Sequence, residues 1–300
     1  FKGPDELSNP GFFPLYPFSI RAVAFLLGGL SAQAGDFVLA GWILSVLFLL
    51  LAAIYFKKLT REFHKEIDYR LPVILLLVFP TAFFLNAIYA EPLLLFLSIA
   101  GFYYGLKRNF LLAGIFGGLA ALTKITGLFI FIPLLWEYFK SNGFRVFKAR
   151  FFSLLLIPLA TFSFFLYHYL KFGDFFLYLK LQSWWGRTFS LNKEHFLLFS
   201  NPAKANFFID LAFVLIGCAA IYFIFKRLRF SYGLYAATTI FVPLSTGTFM
   251  SMGRYVLMLF PLYILIAGIK NYYIRQCWIL ASVLFLGLNI ILFVNNYWAG

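Results

Sequence analysis

The sequence predicts an all-α, polytopic membrane protein. Hydrophobic residues make up 63% of the 300 residues and charged residues only 12%, about half the roughly 25% that a soluble domain carries. Mean hydropathy is +0.88, and apolar runs recur at about the 20-residue length needed to cross the hydrocarbon core. These observations exclude a soluble enzyme, a disulfide scaffold and a disordered chain.

Ten apolar runs are predicted to cross the membrane. Five longer runs contain no Lys, Arg, Asp or Glu, which suits the low polarity of the bilayer; they are Phe37–Phe56, Leu71–Ala90, Phe151–Leu170, Phe230–Gly253 and Gln276–Gly300. Five shorter runs are Pro92–Leu106, Asn109–Thr123, Ile125–Trp136, Leu211–Phe225 and Tyr255–Ile269. The segment Phe18–Leu30 is too short to cross and contains Arg21, so we expect it to lie at the outer interface.

Lys124 interrupts the apolar stretch Asn109–Phe139. As one straight helix this stretch would be about 46 Å long at 1.5 Å per residue, against a hydrocarbon core of about 30 Å. If the chain turns at Lys124, 16 basic residues share one side of the membrane and 8 lie opposite; without that turn the division is 13 against 11. The positive-inside rule therefore favours two crossings, with Lys124 facing away from the cytoplasm.

The same topology places the informative loops on the outer face. They are Phe1–Asp36, the turns at Glu91, Lys124 and Arg254, and the largest non-membrane piece, Lys171–Asn206. The inner loops are short and hold nothing that resembles a site. Residues 1–300 are predicted to form a single membrane domain, with 171–206 as an extracytoplasmic loop.

Three isolated charges are the main candidate site residues. Glu91, followed by Pro92, suits the first turn of a helix, but an ionisable group near the membrane also suggests a functional role. Lys124, between Thr123 and Thr126, could mark the membrane edge or bind a lipid-linked phosphate with the Thr hydroxyls as further donors. Arg254 is the only charge between Arg229 and Lys270. The two cations together favour an anionic lipid ligand.

The loop 171–206 mixes aromatic and polar side chains. This composition is typical of an interfacial helix, and the same side chains could stack on sugar rings and hydrogen-bond hydroxyls or phosphates. The residues concerned are Phe175, Phe176, Tyr178, Trp184 and Trp185, with Lys180, Gln182, Arg187 and Lys193. The three histidines, His64, His168 and His195, are scattered, so no metal site is predicted, and no nucleotide-binding or zinc motif is present.

Five segments in order resemble the PIG-V-like mannosyltransferases, prokaryotic relatives of GPI mannosyltransferase II in the GT-C class. They are Phe12-Phe13-Pro14-Leu15-Tyr16-Pro17; Pro80-Thr81-Ala82-Phe83-Phe84 followed by Tyr89-Ala90-Glu91; Ala120-Ala121-Leu122-Thr123-Lys124-Ile125-Thr126-Gly127; Gln182 through Trp185-Gly186-Arg187; and Arg254-Tyr255 with Phe260-Pro261. The similarity runs from Phe12 to about Ala267. Each motif alone is weakly specific.

The resemblance implies an inverting transfer of a sugar, typically mannose, from a polyprenyl-phosphate donor on the extracytoplasmic side of the cell membrane. The acceptor would be a glycan, a lipid or a protein. The donor is a substrate, and no cofactor and no nucleic-acid partner are expected. An outer carboxylate would act as general base, and Lys or Arg would stabilise the departing phosphate in place of a metal.

The expected roles divide the candidate residues into three groups. Glu91 supports the acceptor or the base; Lys124 and Arg254, with Thr123 and Thr126, bind the donor phosphate; and Gln182, Trp185, Arg187 and Tyr89 line the sugar or acceptor site. The family has Arg-Pro where this chain has Lys124-Ile125, which keeps the charge but loses the bidentate guanidinium. Its catalytic aspartate, in a Trp-Asp motif after a first membrane helix, is expected upstream of Phe1.

Two other classes of protein remain as alternatives. A transporter or lipid flippase should show broken helices at corresponding positions of two related halves, with charges near the midplane; the sequence shows neither feature. A structural membrane subunit without a site of its own is the third interpretation.

Overall fold

A computed structural model describes residues 9–143, 149–183, 186–187, 205–295 and 297, and these form α-helices, 3-10 helices and turns without a β-strand. The α-helices are α1 Leu15–Gly28, α2 Ala34–Phe63, α3 Leu71–Leu77, α4 Glu91–Leu106, α5 Phe110–Thr123, α6 Phe131–Asn142, α7 Ala149–Phe152, α8 Leu156–Phe172, α9 Leu177–Gln182, α10 Ala205–Arg227, α11 Phe230–Leu244, α12 Met252–Leu257, α13 Phe260–Ala267 and α14 Tyr272–Val294. The predicted all-α class is confirmed.

Four of the helical segments are long and apolar enough to cross a membrane: Ala34–Phe63, Arg150–Phe172, Phe207–Arg227 and Tyr272–Val294. Apolar helices of this length are what a protein needs in order to span the hydrocarbon core of a membrane. Other apolar helices in the described residues, such as α4, α5 and α11, have between 10 and 17 residues. The predicted number of ten crossings is therefore not confirmed.

Several of the predicted crossings are not single α-helices, and two of the longer runs are examples. In Leu71–Ala90 the α-helix stops at Leu77, and a 3-10 helix, Ala82–Leu85, follows. Pro80 lacks a backbone N–H and disfavours helical geometry in the residue before it, so the helix cannot continue through this point. In Phe230–Gly253 the helix ends at Leu244, directly after Pro243, and a turn separates it from α12.

The chain forms two compact units. The first unit comprises Phe1–Ala52 and Asn86–Thr188, and the second comprises Ala53–Leu85 and Phe189–Gly300. Helix α2 contributes residues to both units, since the division falls within it. The first unit contains Glu91 and Lys124, and the second contains Arg254.

Close helix packing in the first unit depends on glycine. On α4, Gly101 faces Ile130 and Gly105 faces Leu134. Because both pairs ascend along the chain, α6 runs in the same direction as α4. Gly117 of α5 contacts Ile130 as well as Ile157, so the chain after α5 folds back beside both helices. The turn at Lys124 is thus present, as the two-crossing interpretation requires.

Aromatic side chains form much of the core of the second unit. The Phe260 ring lies 5.4 Å from the Tyr232 ring and 6.0 Å from the Phe56 ring, both in edge-on arrangements. Phe79 packs edge-on against Tyr263 with ring centroids 5.6 Å apart. Such pairs add about 0.5–1.5 kcal/mol to the stabilisation from buried area.

Candidate functional site

Glu91 and Lys124 form an ion pair in the first unit. The Lys124 Nζ lies 2.9 Å from Glu91 Oε1, and the side chains are 27% and 1% exposed respectively. Glu91 is the first residue of α4 and Pro92 the second, so the carboxylate lies at the positive end of the helix dipole. Glu91 therefore suits the helix start, as its local interpretation predicts, and it also pairs with Lys124; its functional role stays a prediction.

Lys124 occupies a break between two helices. It follows the last residue of α5 in an extended conformation, with φ −162° and ψ 150°, and precedes the 3-10 helix Ile125–Ile130. Gly127 lies directly against the Ala120 backbone, where any Cβ would collide with the Ala120 carbonyl oxygen. This close approach holds the chain after Lys124 against the end of α5. It therefore fixes the backbone position from which the Lys124 side chain extends.

The hydroxyls of Thr123 and Thr126, on either side of Lys124, differ in whether they already have a hydrogen-bond partner. The Thr123 hydroxyl donates to the Leu119 carbonyl within α5 at 2.9 Å. The Thr126 side chain is buried, and its Oγ1 has no hydrogen-bond partner among the described residues. A buried hydroxyl without a partner costs free energy, so Thr126 is the better placed of the two to donate to a ligand.

A relay of buried hydroxyls anchors the segment that precedes Glu91. The Tyr16 and Ser45 hydroxyl oxygens are 2.8 Å apart, and the Ser45 hydroxyl donates to the Ala87 carbonyl at 2.8 Å. Each hydroxyl carries one hydrogen, so both distances are satisfied when Tyr16 donates to Ser45 and Ser45 donates to Ala87. Helices α1 and α2 therefore hold the non-helical segment 86–90 from which α4 begins.

Aromatic packing connects the Phe12–Pro17 segment to the Lys124 break. Phe13, Phe164 and Tyr178 form a buried cluster, against which Ile125 also packs. The Phe13 ring lies 4.1 Å from Phe164 and 5.1 Å from Tyr178. Since Ile125 directly follows Lys124, this cluster fixes the chain on the other side of the lysine from α5.

The predicted sugar or acceptor residues are only partly described. Gln182 ends α9 and is half-buried, and its carbonyl accepts a hydrogen bond from the Arg187 backbone N–H at 3.0 Å. Arg187 and Tyr89 are also half-buried. Trp185 lies outside the described residues. The backbone bond brings Gln182 and Arg187 together across one turn.

An exposed ion pair joins Lys180 of α9 to Asp174, which precedes the helix. The Lys180 Nζ is 2.6 Å from Asp174 Oδ2. The hydrogen bond from Lys180 holds the pKa of the Asp174 carboxyl below its usual range. Because the pair is exposed, its effect on stability is small.

Arg254 belongs to the second unit and lies in α12. Its guanidinium carbon is 4.9 Å from the centroid of the Phe84 ring, within the range of a cation–π interaction. The adjacent Gly253 carbonyl accepts a hydrogen bond from the Thr81 hydroxyl at 2.9 Å. The structure thus pairs the segment around Pro80–Phe84 with the segment around Arg254.

Sequence reasoning did not assign roles to Ser45, Thr81 or Phe84. Thr81 and Phe84 are within a quoted motif, and Ser45 is a polar residue inside a run predicted to cross the membrane. A hydroxyl in such a run needs a hydrogen-bond partner, which is the signal that could have identified Ser45.

The ring nitrogens of His64 and His168 lie close to polar groups of the fold itself. His168 is fully buried, and its Nδ1 and Nε2 lie 2.9 Å and 3.0 Å from the Phe164 and Pro10 carbonyl oxygens. The described residues contain no group of three or more His, Cys, Asp or Glu side chains that could hold a metal ion. His195 lies outside the described residues.

Comparisons with protein-family models, curated proteins and solved structures found no match to this chain.

Proposed function

We propose that this chain belongs to a membrane glycosyltransferase that transfers a sugar from a polyprenyl-phosphate donor to an acceptor on the extracytoplasmic face. The observation that carries the proposal is the Glu91–Lys124 ion pair, in which the glutamate side chain is buried and the lysine side chain is partly exposed. A partly exposed lysine that follows an apolar helix suits the phosphate of a lipid-linked donor.

The arrangement of the motifs gives further support. In the first unit, Tyr16 connects through Ser45 to the segment before Glu91, and Glu91 binds Lys124. Thr81 and Phe84 contact the segment of Arg254 in the second unit. Residues on which the family resemblance rests are therefore in contact with one another within each unit. The resemblance supplies mannose as the expected sugar.

In the proposed reaction, the acceptor hydroxyl attacks the anomeric carbon of the sugar as the bond from that carbon to the phosphate oxygen breaks. A carboxylate takes the hydroxyl proton, and the polyprenyl phosphate leaves with the bonding electron pair. Lys124 and the Thr126 hydroxyl would stabilise the charge on the leaving phosphate. For Arg254, a phosphate-binding role is what the family resemblance implies. Glu91 holds Lys124 in place.

The experiment is a transfer assay with the full-length natural protein in proteoliposomes, using radiolabelled polyprenyl-phosphate mannose and extracted cell lipids as acceptors. We expect labelled product from the wild-type protein, and a loss of roughly 100-fold or more from Lys124→Ala and Arg254→Ala. The matched control is Lys140→Ala, which removes a lysine at the end of α6 on the opposite predicted side of the membrane.

Equal rates in all four proteins would refute the assignment of the phosphate site. If the wild-type protein moves the lipid across the bilayer without transferring sugar, the transporter or flippase interpretation replaces the transferase. Activity that appears only in the presence of a second protein would favour the structural-subunit interpretation.

A further inference from the structure

In the second unit, the Arg254 side chain lies on an aromatic ring. The guanidinium carbon is 4.9 Å from the centroid of the Phe84 ring, and Phe84 itself is fully buried. A guanidinium group at this distance is attracted to the face of the ring, and its N–H donors form the fork that matches phosphate oxygens. The ring therefore restrains the position of a group whose chemistry suits an anion.

The backbone beside Arg254 is held by a second contact from the same segment. The Thr81 hydroxyl donates to the Gly253 carbonyl at 2.9 Å, in a buried position. A Cβ at Gly253 would lie 2.8 Å from Thr81 Cγ2 and 2.9 Å from Phe213 Cε2. Only glycine allows this approach, so the hydrogen bond and the close packing together determine where the Arg254 side chain starts.

The segment that makes these two contacts is itself anchored. Asn289 of α14, which is buried, donates from Nδ2 to the Pro80 carbonyl at 2.9 Å. The ring of Phe293, one turn further along α14, lies 5.7 Å from Phe84. These two contacts from α14 hold the segment 80–84 in place. We call this segment the arginine shelf.

We propose that Phe84 and Thr81 are positioning residues that hold Arg254 ready to bind a phosphate group. The inference rests on the proposed function, which supplies the phosphate as part of the lipid-linked donor. Arginine has many rotamers, and ordering it before the ligand arrives reduces the entropy lost on binding. Phe84 would act on the guanidinium group, and Thr81 on the backbone from which the side chain extends.

The test is equilibrium binding of radiolabelled farnesyl phosphate to the full-length protein in detergent, with the melting temperature of each variant measured alongside. We expect Phe84→Leu to weaken binding about tenfold and Thr81→Val about fivefold. Phe84→Tyr and Thr81→Ser restore the ring and the hydroxyl, so their affinities should stay within about twofold of wild type.

The matched control is Phe223→Leu, which removes another ring of the second unit that lies near an arginine. The Phe223 ring centroid is 5.7 Å from the guanidinium carbon of Arg227, and this pair is outside the segment 80–84. We expect its affinity for farnesyl phosphate to be unchanged. In the transfer assay, Phe84→Leu should raise KM for the donor with a smaller change in kcat, a pattern that general loss of folded protein does not produce.

Two results would overturn the inference in distinguishable ways. If wild type binds farnesyl phosphate, Arg254→Ala does not, and Phe84→Leu and Thr81→Val bind as wild type does, the shelf has no positioning role and the proposed function stands. If wild type and every variant fail to bind, both the phosphate site and the inference are wrong. Failure of Phe84→Tyr and Thr81→Ser to rescue binding would also contradict positioning.

Discussion

Lys124 and Glu91 show how burial divides the roles of two oppositely charged residues. The Glu91 side chain is 1% exposed and the Lys124 side chain is 27% exposed, so the lysine is the member of the pair that presents surface to a ligand. Withdrawing a carboxylate from water is costly, and a close ammonium group compensates part of that cost. At the residue scale, Lys124 is therefore both the partner of a buried acid and the accessible cation of the proposed site.

His64, in the second unit, is a buried histidine whose environment predicts that stability depends on pH. It follows the last residue of α2, is buried, and has its Nε2 3.3 Å from the Tyr232 hydroxyl. Burial lowers the pKa of His64 to about 4; nearby Glu66 raises it and Arg229 lowers it. The folded protein thus holds this imidazole neutral in the pH range where the unfolded chain, with an ordinary pKa of about 6.5, becomes charged.

We predict that His64 destabilises the protein as the pH falls. Below pH 6.5 the unfolded state binds a proton that the folded state excludes, so the contribution of His64 is constant above pH 6.5 and is lost progressively down to about pH 4. Between pH 7.5 and pH 5 the loss is about 2 kcal/mol. Melting temperatures of the detergent-solubilised protein at these pH values provide the measurement.

The matched variant for this prediction is His64→Gln, which cannot take up the proton. Its melting temperature should fall less between pH 7.5 and pH 5 than that of wild type. Parallel pH profiles for the two proteins would show that His64 is not the group responsible.

At the scale of elements, glycines on α5 allow the backbone of a neighbouring segment to approach this helix closely. Gly114 lies against the Ser153 carbonyl, and a Cβ at that position would collide with it. Gly118 approaches the Leu156 carbonyl oxygen, which would be 3.2 Å from its Cβ. Since both contacts are to backbone atoms, α5 packs closely against residues 153–155 and the start of α8, as in small-residue packing between membrane helices.

We predict that Gly114→Ala destabilises the protein, by about 1–3 kcal/mol, because the Ser153 backbone must move away. The matched control is Gly287→Ala in the middle of α14, where a Cβ has nothing within 4 Å. Alanine is favoured over glycine in a helix interior by about 0.8–1 kcal/mol, so the control should be neutral or stabilising. Thermal unfolding of both variants measures the difference, and equal melting temperatures would contradict the proposed packing.

At the scale of the whole molecule, α2 offers the clearest test of membrane topology. Its 30 residues extend about 45 Å at 1.5 Å per residue, more than the hydrocarbon core of about 30 Å. Gln33 lies just before the helix and Lys65 just after it, and both are exposed. The excess of basic residues at the end near Lys65 indicates that this end is cytoplasmic.

We predict that single cysteines at positions 33 and 65, in a protein whose Cys218 and Cys277 are replaced by serine, react from opposite sides of the membrane. A membrane-impermeant maleimide should label position 33 in right-side-out vesicles and position 65 in inverted ones. A third cysteine at Lys171 tests the predicted outer loop and should behave like position 33. Labelling of positions 33 and 65 from one side would show that α2 does not cross.

The number and limits of the helices could be predicted only in part. Hydropathy correctly located the long apolar helices, because α2 and α14 each lie over an uncharged run. It gave no sign of the helix breaks within Leu71–Ala90 and Phe230–Gly253, where hydropathy is continuous but a proline lies close to each break. Apolar composition reports the free energy of transfer to lipid, whereas helix continuity depends on backbone hydrogen bonds.

The sequence by itself determined that the protein is helical and apolar, and it singled out Glu91, Lys124 and Arg254 as isolated charges, because a charge in an apolar stretch is conspicuous without any coordinates. Only the tertiary structure decided that Glu91 binds Lys124, that Ser45 anchors the segment before Glu91, and that Arg254 rests on Phe84. These contacts join residues far apart in the chain, and their partners are hydroxyls, carbonyls and rings of common types. Which of these groups pair depends on their distance and burial in the folded protein, and the order of the residues does not give either quantity.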